Sequence, residues 1–292
     1  MAAITPIPGF FEPFSSLSHL VGAGVFLVLA PFLFRRGLGC NLRTTGLATF
    51  AFGTVFLLSM SGTYHLVADG GAARRVLRML DHAAIFVLIA CSFTPIHIIL
   101  FRGWGRWGVL VLIWGFAATA ISLKMAYFDS MPQKLGLGLY LGMGWVGLGS
   151  GIALARRYGF RFVEPIFWGG VAYSIGALLE AFRWPVIVPG VVEPHEVFHI
   201  AVLIGLACHW SFVFAVADGG LRLKIDPENS AARLAQTPAD SSELAAGVEP
   251  ECVDRREERQ QGAGDSRPGP SPAIRSDSDA AGNAACSRSL RG

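Results

Sequence analysis

The sequence predicts an all-α membrane protein, a seven-transmembrane helix bundle followed by a disordered C-terminal tail. Three observations carry that prediction. Seven runs nearly free of charge occur before residue 218, each close to the roughly 20 residues of helix that about 30 Å of hydrocarbon requires. Hydrophobic residues make up 52% of the 292 and charged residues only 15%, and such a balance belongs to chains that bury their apolar surface in lipid. Asp and Glu are scarce before Leu221 and frequent after it, so two regimes share the chain: a membrane domain over residues 1–218 and a polar tail over 219–292.

The spans are expected at residues 16–34, 44–67, 83–101, 107–125, 135–155, 165–182 and 196–217. Short polar turns separate them, among them Arg35-Arg36-Gly37, Asp69-Gly70-Gly71, Arg102-Gly103 and Arg156-Arg157-Tyr158-Gly159. Gly releases the helix in each, and Arg, in the three turns that have it, can reach headgroups. Turns this short make neighbouring helices antiparallel. The connection over residues 184–194 is longer and leads directly into the seventh span, where it can shape access to the helix start. Gly138, Gly142, Gly147 and Gly151 in the fifth span, and Gly169, Gly170 and Gly176 in the sixth, predict faces where helix backbones approach closely.

The tail is rich in Ser, Ala, Pro, Asp, Glu and Arg, as in Asp254-Arg255-Arg256-Glu257-Glu258-Arg259. It offers too little apolar surface to offset the entropy of ordering, and its alternating charges suit a solvated spacer. The net charge is only +3, without a strongly basic patch, which argues against a nucleic-acid partner. Cys40, Cys91, Cys208, Cys252 and Cys286 show no paired spacing, so free thiols are expected. The N-terminus lacks the basic region and cleavage site of a signal peptide, and no removed leader is expected. Arg74, Arg75, Arg78, Lys124, Lys134 and Arg183 lie on one membrane side. A larger set, including Arg35, Arg36, Arg43, Arg102, Arg106, Arg156, Arg157 and Arg161, lies on the other. The bias predicts an outside N-terminus and a cytoplasmic C-terminus.

Chemistry concentrates in histidines. His195 and His199 are four residues apart, which on a helix places both imidazoles on one face about a turn apart. Ser61 and His65 share a face at the end of the second span in the same way, and Asp81-His82 open the third. Topology puts these three helix ends on one membrane side. If the second and seventh helices meet, His65, His195 and His199 can supply three nitrogens to Zn²⁺ and leave a fourth position open. Alone, the His195/His199 pair is equally consistent with a solvated or hydrogen-bonded pair. A third His and an Asp on the same rim, in helices otherwise almost free of ionisable groups, favour a metal. Zinc so held can acidify its water and polarise a carbonyl. Asp81 then suits a general base or a partner of that water, and Ser61 a neutral hydrogen-bond donor.

Other polar residues carry plainer readings. His82 points about 100° away from Asp81 on the same helix and suits an interface. His97 and His209 read as buried hydrogen-bonding groups between helices, and His19 as a residue near the site rim. Ser15 and Ser18 read as caps of the first helix. Lys124 and Arg183 can snorkel to headgroups, and Glu180 can pair with Arg183 at i, i+3.

The chain resembles the hemolysin III branch of the family that includes adiponectin and membrane progestin receptors. The resemblance rests on Phe11-Glu12 through Ser18-His19, Ser61-Gly62-Thr63-Tyr64-His65 and the stretch from Leu80-Asp81-His82 to Thr94-Pro95. It continues in Tyr140 to Trp145, Gly169 to Ser174, and His195-Glu196-Val197-Phe198-His199 with Cys208-His209. It covers all seven spans and leaves the tail outside. It implies a seven-helix fold, a zinc ion on His65, His195 and His199, and Asp81 and Ser61 beside it. It also implies kinship with alkaline ceramidases, hence a multi-pass protein of a bacterial inner membrane that takes a lipid amide or ester from the bilayer as substrate. Two other classes stay open: a sensor or receptor with structural zinc, and a pore-forming hemolysin.

Overall fold

The computed structural model describes residues 10–219, all of them helix or short connection apart from an isolated bridge between Val188 and Val192. The tail and its expected disorder lie outside the described residues. Eight helical segments follow one another: α1 (Pro13–Gly37), α2 (Asn41–Leu66), α3 (Ala72–Leu100), α4 (Gly103–Ala126), α5 (Gln133–Trp145), α6 (Gly147–Tyr158), α7 (Phe160–Phe182) and α8 (Pro194–Val216). They make seven spans, because α5 and α6 together form the fifth, Lys134–Tyr158. The protein is a multi-pass integral membrane protein. Large apolar side chains such as Val21, Val28, Phe52, Val111 and Phe182 stay exposed, as lipid-facing surfaces require.

The helices run further than their uncharged stretches. Thus α3 begins at Ala72, not near residue 83, because Arg, Ala, Leu and Met all favour helix and the charges need only lie outside the hydrocarbon. Arg74 shows how such a charge is kept. Its guanidinium lies 4.6 Å from the ring centroids of both Phe11 and Tyr64, and it donates to the carbonyls of Tyr64 and Val67. Asp81 therefore sits about two and a half turns inside α3 rather than at its start. In the fifth span a turn at Val146 divides α5 from α6, although Val146 keeps helical dihedrals and its N–H still bonds the Gly142 carbonyl. The glycines on both sides, Gly142, Gly144 and Gly147, give that stretch little intrinsic helix preference.

Helix α2 packs along α1 and α3, α7 along α8, and α3 along α4, while α1 and α3 also reach α8. One apolar core joins Leu33, Leu47, Phe50, Leu58, Leu206 and Phe212; a second, among α3, α4 and α5, holds Phe86, Ile113 and Met143. The expected close approach occurs at Gly169 and Gly176. A Cβ there would lie 3.1 Å from the Gly205 carbonyl oxygen and 2.5 Å from the Ala201 Cβ respectively. It does not occur at Gly138, Gly142, Gly151 or Gly170, where a Cβ would meet nothing within 4 Å. The fifth span instead borders a cavity. The tightest contacts around α2 fall at Gly53, against Cys91, and Gly62, against Leu20.

His97 is a buried hydrogen-bonding group between helices, as expected, whereas His209 is half-buried and bonds within its own helix. His97 bonds the Gly105 carbonyl at 2.7 Å and Ser150 at 3.1 Å; His209 bonds the Gly205 carbonyl at 2.9 Å and stacks on Tyr173. Cys91 and Cys208 are free thiols. Cys40 is disulfide-bonded, contrary to the expectation of free thiols.

Candidate metal centre

The last turn of α2 carries His65, and the first two turns of α8 carry His195 and His199. Helix α8 starts sharply: Pro194 occupies its first position, and Glu193 and Glu196 form a reciprocal capping box, which fixes the direction of the two histidines. The His195 Nε2 lies 3.3 Å from His65 Nε2 and 3.1 Å from His199 Nε2. The three ligand atoms all fall within 4.8 Å of one another. His65 and His199 are buried and His195 half-buried. The sequence thus named three imidazoles, 130 residues apart at the widest direct contact, that the fold brings to one point.

Carboxylates behind the rings set their orientation. The segment before α1 is pinned to the end of α2 by Phe11 N–H to Leu66 carbonyl at 3.3 Å and Glu12 N–H to His65 carbonyl at 3.0 Å. That places the Glu12 carboxylate on His65 Nδ1, with its second oxygen 2.9 Å from Arg74 Nη2. Burial raises the Glu12 carboxyl, but His65 and Arg74 outweigh it and hold the group below its ordinary range. With Nδ1 facing a carboxylate, His65 keeps the proton there and presents the Nε2 lone pair to the other rings. Glu180 stands 3.7 Å from His195 Nδ1 and 3.3 Å from Arg183.

A single proton can bridge one of the two short Nε2 contacts that His195 makes, but not both. One cation satisfies all three nitrogens. Zinc–nitrogen bonds of about 2.0–2.1 Å in a tetrahedron put neighbouring nitrogens about 3.3 Å apart, and the observed 3.3 and 3.1 Å match that edge. The donor set therefore fits a divalent ion with nitrogen preference.

Beside the cluster opens a cavity of about 900 Å³ between α3, α5, α6, α7 and α8. Its walls are mostly apolar, and His195, His199, His19, Ser61 and Asp81 line it, with Glu180 at the same rim. Asp81 and Ser61 so share a space with two of the three histidines. Asp81 also faces His82 Nδ1 at 3.6 Å, and His82 bonds the Arg78 carbonyl of its own helix at 2.8 Å.

Two neighbours escaped the sequence reading: Glu12 and Glu180, which back the ligands. His19, read from the sequence as a residue near the site rim, is only 3% exposed and stacks on His199 at 3.9 Å and 13°. Neither ring nitrogen of His19 has a hydrogen-bond partner among the described residues. The serines of α1 are not caps, since the helix has no side-chain cap bond. Ser15 instead donates to Glu196 at 2.9 Å and Ser16 to the Gly62 carbonyl at 2.9 Å, tying α1 to the starts and ends that carry the ligands. The signal that could have found them is Glu12, Ser15, Ser16 and His19 falling on nearly one face ahead of an apolar run.

The haemolysin-III related family model matches residues 11–210. Hemolysin-3 of Bacillus cereus is 27% identical over 197 residues, covering 66% of this chain and 85% of that protein. The hemolysin-3 homolog of Bacillus subtilis (strain 168) is 28% identical over 196 residues, covering 66% and 88%. An ADIPOR-like receptor of Saccharomyces cerevisiae, IZH2, is 28% identical over 239 residues, covering 68% and 73%.

Proposed function

This chain belongs to the haemolysin-III related family, and on that premise we propose that it is a zinc-dependent hydrolase of a lipid amide or ester within a bacterial inner membrane. The observation that supports this most is the convergence of three imidazoles at one end of a largely apolar cavity. His65, His195 and His199 hold the ion; imidazole donors at tetrahedral spacing suit zinc among the common divalent metals. When bound, zinc supplies Lewis acidity that polarises a carbonyl and acidifies water.

The chain's own residues do the rest. The cavity takes up the acyl chain, at about 0.8 kcal/mol per methylene removed from water, and carries its carbonyl to the histidine end. Asp81 accepts a proton from the water that attacks the carbonyl carbon and returns it to the departing amine or alcohol as the C–N or C–O bond breaks. Ser61 donates a hydrogen bond to the carbonyl oxygen. Glu12 fixes the His65 ring, so Glu12→Gln is expected to weaken metal binding about 10–100-fold, measured by competition with a chelator of known affinity.

The reading is tested with purified full chain in nanodiscs, wild type against His199→Ala, incubated with long-chain amides and esters, together with untargeted lipidomics of cells expressing each. Product release and a changed lipid profile in the wild type alone are expected. Equal lipid turnover in both would sink the hydrolase. The second reading, a receptor or sensor braced by structural zinc, draws on the close packing of His19, Glu12 and Arg74 around the cluster; it expects His199→Ala to lower the melting temperature without altering lipid turnover.

A further inference from the structure

Lys124 does not snorkel. It lies in the last turn of α4, is 4% exposed and faces into the cavity. Its Nζ rests against the first turn of α5, 3.1 Å from where a Cβ on Gly136 would stand. Pro132, Lys134 and Gly136 of that turn line the same space. Among the described residues Lys124 makes no hydrogen bond or ion pair with an acceptor; its neighbour is the Phe128 ring, 5.5 Å away, which Arg78 flanks from 5.4 Å.

An ammonium withdrawn from water without a counter-charge is costly, and this one sits where a second positive feature points. The N-terminus of a helix carries partial positive charge and N–H groups without intrahelical acceptors. In α5 the N–H groups of Leu135 and Gly136 already bond the Pro132 carbonyl at 3.0 and 3.2 Å, which leaves those of residues 133 and 134 ahead of the ladder. Of the carboxylates that line the cavity, Asp81 faces His82 and Glu180 faces Arg183 and His195, and neither forms an ion pair with Lys124. Two adjacent positive features facing one apolar cavity are stable together when an anion lies between them.

We propose that Lys124 and the first turn of α5 form an anion pocket that receives the phosphate or carboxylate end of a single-chain amphiphile whose chain lies in the cavity. The proposal rests on the reading of that cavity as a lipid site and narrows its ligand class to anionic amphiphiles.

The test uses purified full chain in neutral nanodiscs with radiolabelled dodecyl phosphate, dodecanoate, dodecanol and inorganic phosphate. Wild type is expected to bind one or both anionic chains at least about 10-fold more tightly than dodecanol, and added salt to weaken only the anionic probes. Lys124→Gln should remove the preference and leave dodecanol within about twofold, while Lys124→Arg keeps most of it. Should Lys124→Gln fail to fold, Gly136→Ala, whose methyl displaces the ammonium, carries the same readout. Equal wild-type affinity for dodecanol and both anions overturns the pocket and leaves the lipid cavity standing. Inorganic phosphate binding as tightly as dodecyl phosphate overturns the amphiphile assignment. If none of the chain-bearing probes binds, the lipid reading of the cavity fails as well.

Discussion

Wild-type protein purified without chelator is expected to carry about one zinc ion per chain, and His65→Ala, His195→Ala or His199→Ala each to carry almost none. The effect is large because, among the described residues, these three make up the group whose ligand atoms can meet at one ion: they lie within 4.8 Å of one another, and removing one leaves two imidazoles to hold an ion against water. Loss of a ligand differs in kind from loss of packing, so the control matters. His209→Ala removes a half-buried ring that bonds the Gly205 carbonyl and stacks on Tyr173, and His97→Ala removes a buried one on the opposite rim. Both are expected to keep the metal even where they lower stability. Elemental analysis of the six proteins decides the matter. Zinc retained at full stoichiometry in the His195 variant, or lost equally in the His209 variant, would falsify a site made of these three residues.

That His65, His195 and His199 were legible in the sequence follows from two simple constraints. A four-residue interval puts side chains on one helix face, and short turns between spans dictate which helix ends share a rim. Neither constraint depends on detailed packing. Glu12 was harder to read because its role depends on the pairing of residues 11 and 12 with the end of α2, a tertiary contact with no local signature. Ser15 and Ser18 look like caps because local competition for backbone N–H groups is what such residues ordinarily do, yet here they donate to Glu196 and to the Ser15 carbonyl. Charge-free length located the spans but misplaced their starts, since arginines such as Arg74 can be helical as long as the guanidinium finds aromatic faces and carbonyls. Lys124 illustrates the opposite error: a lysine near a helix end was assigned to the headgroups, while the gap left by glycines in the fifth span gives it an interior to face.

Asp81→Asn is expected to lower lipid hydrolysis about 10²–10⁴-fold while leaving bound zinc unchanged. Asparagine keeps the shape of the side chain and can still hydrogen-bond, but it cannot take a proton near neutral pH. A loss of rate with metal retained therefore separates proton transfer from metal binding. Asp81 is placed for such a role because it lines the cavity along with His195, His199 and Ser61, and because α3 carries it well inside the helix, where its backbone is held on both sides. Its contact with His82 Nδ1 at 3.6 Å raises a competing structural role, in which the carboxylate only steadies its own turn of α3. The two differ in their companions. A structural role predicts that His82→Ala and Asp81→Asn reduce the melting temperature and the rate alike; a proton-transfer role predicts that His82→Ala leaves the rate within about tenfold and that Ser61→Ala falls between them. Rates of amide and ester cleavage measured on metal-quantified samples distinguish the two, and an Asp81→Asn protein that hydrolyses lipid at the wild-type rate removes Asp81 from the chemistry altogether.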